Sequence, residues 1–69
     1  MKPHEERVIT EHAELDDKLR KLTVFISTHA TFQDFPLAEK ERLVQQRRAM
    51  RNYLRILKER IDNFPVVDA

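Results

Sequence analysis

His4, Glu11 and Lys18 stand seven residues apart near the start of this 69-residue chain, and Gln46, Tyr53 and Arg60 keep the same spacing near its end. Seven residues is close to two turns of helix, so each trio returns to one side of a helix. The side chains are of recognition type. Lys18 and Arg60 suit phosphate oxygens, the Tyr53 ring suits stacking on a base, and His4 and Glu11 suit a base edge or a sugar hydroxyl. Arg7 lies one turn from His4 and Glu11 and can join them.

The same chain is poor in catalytic means. It contains no cysteine and no glycine. Thiolate metal sites and disulfides are therefore absent, as are the phosphate loops, dinucleotide fingerprints and nucleophile elbows that need glycine backbone. His4, His12 and Glu11 are capable of proton transfer, but nothing supplies an activated nucleophile or an oxyanion site. Glu11 and His12 are neighbours in sequence, so they diverge by about 100° around a helix instead of converging on a metal. The expectation is a protein that is not an enzyme, with no metal and no cofactor.

What must position these residues is helical. Pro3 suits a first helical turn, with Glu5 and Glu6 favourable at the positive end of the dipole. Val8, Leu15 and Leu22 repeat as heptad position d, and His12, Leu19 and Ile26 fall at a. The row His4, Glu11, Lys18 and Phe25 is then g, beside the seam. Residues 27–35 lose the period and read as the connection, with Phe32 and Phe35 placed to cap the core's end. Pro36 starts a second helix, in which Leu43, Met50, Leu57 and Phe64 form one seam row and Arg47, Leu54 and Ile61 the other. Gln46, Tyr53 and Arg60 are its g row. Pro65 stops the helix, and residues 65–69 read as a loose tail.

The fold class expected is all-α: one domain over residues 1–64, an antiparallel two-helix hairpin with helices over about 3–28 and 36–64. Residues on the two helices lie level when their numbers sum to about 66, because the link fixes the register. That sets His4 by Arg60, Glu11 by Tyr53 and Lys18 by Gln46 along one edge. It also sets Asp16 beside Arg51 as a surface ion pair. A hairpin has one shared face and is small for a self-sufficient core, so Ile9, Val24, Phe25, Val44 and Ile56 are left over. The expectation is a homo-oligomeric helical bundle, a dimer or higher, in which the polar edge becomes a cleft where subunits meet. Arg48 and Arg55, on the outer surface, are placed to serve a symmetry-related copy of that cleft. A bland alternative assigns Glu11 and Lys18 to setting helix register and Tyr53 to covering the core.

Charge is uneven. Residues 1–34 carry five Lys or Arg against seven Asp or Glu, and residues 35–69 carry eight against five. From Arg42 to Lys58 inclusive there are six positive residues and no negative one. Contact with nucleic acid through Arg47, Arg48, Arg51, Arg55 and Lys58 is thus one reading. A net charge of +1 and arginines that wrap around the helix argue against it. The opening MKPHEERV is polar and no long apolar run follows, so the expectation is a soluble protein of a reducing cytoplasm with no membrane contact.

The pattern PHEERV…E…ELDDKL.KL..FI, a short linker, then L..Q…M..YL..L..RI..F resembles a family of very small phage and prophage proteins related to a small protein of crAss-like phages. Its polar members here are His4, Arg7, Glu11, Lys18, Tyr53 and Arg60. In size and hairpin architecture the chain is also similar to phage counter-defence sponges, oligomers that sequester nucleotide immune messengers. The resemblance implies a binding protein for a small anionic nucleotide in the cytoplasm of a bacterial host. The competing expectation is an adaptor or inhibitor that docks a host defence protein through Ile9, Val24, Ile56 and the basic face of Arg48, Arg51 and Arg55.

Overall fold

A computed structural model describes residues 1–65. It contains helix α1 (Pro3–Thr28), a single turn α2 (Ala30–Gln33) and helix α3 (Leu37–Asp62). The two long helices pack against each other as a hairpin, and no strand occurs among the described residues.

The start of α1 is fixed by chemistry in its first turn. Pro3 occupies the opening position, where no backbone N–H is required. The Glu5 carboxylate turns back to accept the Lys2 backbone N–H at 2.9 Å, which satisfies a donor that the helix itself cannot. Glu5 is also buried, at 4% exposure, so this bond lies in a covered place.

The helix ends at His29, whose extended backbone (φ −84°, ψ 128°) breaks the ladder. The His29 ring then begins the next turn: its Nδ1 accepts the Thr31 backbone N–H at 3.2 Å. The connection is therefore ordered by a helical turn at 30–33, where the lost heptad period predicted none. Sequence periodicity senses only turns that share a long apolar stripe, and a four-residue turn has no stripe to show.

Pro36 lies just outside α3 as its N-cap, and its carbonyl accepts the N–H groups of Glu39 and Lys40 at 3.0 and 3.1 Å. At the far end α3 stops at Asp62, two residues before the expected Phe64. Asn63 causes the early stop. Its side-chain amide donates to the Glu59 carbonyl at 2.7 Å, and its backbone N–H donates to the Glu59 and Arg60 carbonyls. Pro65 adds a steric bias against helical backbone at Phe64. Most of the tail expected at 65–69 lies outside the described residues.

The heptad seam is the core. Val8, Leu19 and Leu57 are buried, and His12, Leu15, Leu22, Ile26, Leu43, Arg47, Met50, Leu54, Ile61 and Phe64 are half-buried. The polar intrusions His12 and Arg47 do sit in the seam, and no buried side-chain nitrogen or oxygen among the described residues lacks a partner. Their apolar stems line the seam while their polar ends reach water. At the connection Phe25 is the hub of an aromatic cluster, with ring centroids 5.0 Å from His29, 6.0 Å from Phe32 and 5.9 Å from Phe35. Phe32 is buried, and the Lys40 ammonium sits 5.9 Å from its ring centroid.

Ion pairs do not hold the helices together. Among the described residues, each ion pair joins residues three or four apart on one helix. The expected bridge from Asp16 to Arg51 is one casualty: Asp16 instead takes Arg20, one turn further along α1, at 3.1 Å. A partner on the same helix needs no alignment of two rods, so it is the easier one to hold. Apolar contact along the seam remains as the force that closes the hairpin.

The result is a rod of 55 × 15 × 15 Å with a radius of gyration of 15.9 Å. A compact chain of this length would have a radius of about 11 Å. The molecule is one layer thick, and apart from Phe32 every buried residue among those described lies on a seam row.

Candidate functional site

The polar edge is assembled by register. With the seam rows at a and d, the g positions of α1 and α3 flank the same side of an antiparallel pair. His4, Lys18, Tyr53 and Arg60 are exposed there, and Glu11 is half-buried. Arg7, at the adjacent c position, is exposed as well. Tyr53 keeps 42% of its surface open and Ile56, the outward residue one turn on, keeps 40%. An apolar ring and an apolar branch thus stand uncovered among cations.

Hydrogen bonding divides the charged side chains in two, and the six share their lack of an ion pair with Arg47, Arg48 and Arg51. Arg20, Lys21, Arg42, Arg55 and Lys58 are each engaged by a carboxylate on their own helix. None of the ion pairs or side-chain hydrogen bonds among the described residues uses His4, Arg7, Glu11, Lys18, Tyr53 or Arg60. The donors and acceptors of the row face solvent with their capacity intact. Gln46, the remaining member, is turned along its own helix, with its amide 3.8 Å from the Met50 sulfur. Heptad register sets these residues beside the seam, and none of the described ion pairs or side-chain hydrogen bonds joins one of them to another.

Two open depressions lie away from these six residues. One open depression of about 380 Å³ on α1 is lined by Arg20, Lys21, Val24, Phe25 and His29. Phe25 makes it the continuation of the g row toward the connection. A second, of about 340 Å³ on α3, is lined by Leu37, Lys40, Glu41, Val44, Gln45 and Arg48. Sequence reasoning picked out Val24, Val44 and Arg48 but missed Arg20, Lys21 and Lys40 beside them. The signal available was cations one turn from an outward apolar residue.

Among the described residues no three His, Asp or Glu side chains gather as a metal ion would need. No described helix is long and apolar enough to cross a membrane.

Fold and edge together define a small all-helical hairpin protein with an unengaged polar row beside its seam. The chain belongs to the Sequestin family, whose model matches residues 2–63. That name fits the sequestering proteins that the sequence resembles, while the crAss-like designation finds no support in it. Neither a curated protein nor a solved structure matches the chain.

Proposed function

We propose that this chain is a phage-derived, non-catalytic binding protein that sequesters a nucleotide-type immune signalling molecule in the host cytoplasm. It acts as a homo-oligomer that binds the ligand where subunits meet, with His4, Arg7, Glu11, Lys18, Tyr53 and Arg60 as the capture row. Arg7, Lys18 and Arg60 take the phosphates, Tyr53 stacks on a base, and His4 and Glu11 bond a base edge or a sugar hydroxyl. The observation that carries the proposal is that six side chains suited to phosphate, base and sugar recur beside the seam and enter none of the described ion pairs or side-chain hydrogen bonds. The family name, that of a sequestering protein, agrees with it.

A panel of cyclic and linear nucleotides in a thermal-shift assay tests the reading. A ligand at one hundred times its Kd stabilises by about 2.7 kcal/mol, on the order of 10–20 °C in Tm for a domain of this size. Arg60→Ala and Lys18→Ala are expected to remove most of that shift while leaving the unliganded Tm in place. A panel with no shift, together with wild-type behaviour of both variants in a phage-defence assay, overturns the proposal.

One further reading has an observation of its own. Val24 is 60% exposed and lies in an open apolar depression with Phe25, which suits docking on a host protein. Recovery of a stoichiometric host protein, lost in Val24→Glu and kept in Arg60→Ala, would favour that adaptor role.

A further inference from the structure

His29 belongs to two helices at once. Its backbone N–H donates to the Phe25 carbonyl at 3.1 Å and closes α1, while its own carbonyl accepts the Phe32 N–H at 3.2 Å and opens α2. The backbone is pinned from both sides, and only the ring is left with two roles. Its Nδ1 accepts the Thr31 N–H at 3.2 Å, and its centroid lies 5.0 Å from that of Phe25. The first contact needs a lone pair on Nδ1, hence a neutral ring with its proton on Nε2. The second needs no lone pair and strengthens when the ring is a cation.

A cation at residue 29 has a further use. The last turn of α1 holds no basic residue, so that helix supplies no charge of its own to answer the negative end of its dipole. The charged groups around the ring leave both roles open. Arg20 and Lys21 of α1 line one depression with His29, and each is held by its own carboxylate, Asp16 at 3.1 Å and Asp17 at 2.9 Å. Asp34 caps the far end of α2, and Lys40 of α3 stands over the Phe32 ring. Among the described residues none of these groups shares an ion pair or a side-chain hydrogen bond with His29.

We propose that His29 is a pH-sensitive clasp on the connection. Neutral, it caps the turn at 30–33; protonated, it releases Thr31 and serves the C-terminus of α1 and the Phe25 ring. The cap is present above the range in which imidazole titrates, about pH 6.5, and is lost as pH falls through it.

What the turn carries sets the consequence. Phe32 is buried on it, edge-on to Phe25 at 6.0 Å, and Phe35 packs on both. Phe25 and His29 are also walls of the depression of about 380 Å³. Acidification therefore loosens the connection end of the rod and reshapes that depression, while the seam of Val8, Leu19 and Leu57 stays closed. The other two histidines are remote: His12 stands about 25 Å back along α1, and His4 further still.

Nuclear magnetic resonance and amide hydrogen exchange on the full chain, at about pH 7.5 and about pH 5.5, test the proposal. At the higher pH the His29 ring is expected as the Nε2–H tautomer. At the lower, opening of amides 31–33, corrected for the intrinsic pH dependence of exchange, should rise about fivefold, the equivalent of one lost cap. Seam amides beside Leu57 should keep their protection. His29→Asn should abolish the response, because the Asn side-chain oxygen accepts the same N–H at either pH. His4→Asn should retain it.

An Nδ1–H tautomer at about pH 7.5, an unchanged opening of amides 31–33 on acidification, or a response that survives in His29→Asn each overturns the proposal. So does an equal loosening of the seam amides, which would make the effect one of the whole fold. Neither ligand nor assembly enters: a chain that captures no nucleotide and stays single still shows the clasp.

Discussion

Among the described residues Leu57 is the one large side chain with 0% exposure, and its truncation measures what the seam contributes. Leu57→Ala removes buried carbon and leaves a hole, a change that costs about 2–5 kcal/mol in well-packed cores. On a rod 15 Å across, water and neighbouring side chains reach the hole readily, so the middle of that range, about 3 kcal/mol, is expected. A chain of this length has a total stability of roughly 3–10 kcal/mol. The variant should therefore lie near the limit of folding. In urea, with a slope of about 1 kcal/mol/M for so small a protein, the midpoint should fall by about 2–3 M. Far-UV circular dichroism reads it directly. The scan should be run at two protein concentrations, because assembly couples stability to concentration. Ile56→Ala, the adjacent residue on the outer side, should cost under about 1 kcal/mol. If both alanines cost the same, or if Leu57→Ala costs less than about 1 kcal/mol, the seam does not hold this hairpin.

Glu5→Ala removes the carboxylate that accepts the Lys2 N–H and should cost about 1 kcal/mol, read as a lower Tm. Phe25→Ala takes the hub from the aromatic cluster and should cost about 3 kcal/mol in a urea titration, loosening the connection before the open end in hydrogen exchange. Lys58→Ala breaks an exposed pair at 2.7 Å and should change stability by less than about 0.5 kcal/mol in the same titration. Nucleotide capture by Arg7, Lys18 and Arg60 should weaken steeply as salt rises, which calorimetry at two ionic strengths reads.

The sequence by itself determined the two long helices and their contact face. Heptad repetition is a local property: Val8, Leu15 and Leu22 share a face wherever the helix is placed, and Leu43, Met50 and Leu57 do likewise. Even the polar intrusions at His12 and Arg47 were legible, since a fixed period assigns each residue a side without knowing its neighbours.

Tertiary structure alone decided what depends on atoms brought close in space. The short turn at 30–33 exists because the His29 ring caps it, and α3 ends early because the Asn63 amide reaches the Glu59 carbonyl. Asp16 chose Arg20 over Arg51 because a partner on the same helix is already held in position. The candidate row shows the same division. Its place beside the seam follows from spacing, but its freedom from partners does not, because engagement of a charged side chain is settled by distances that no period encodes.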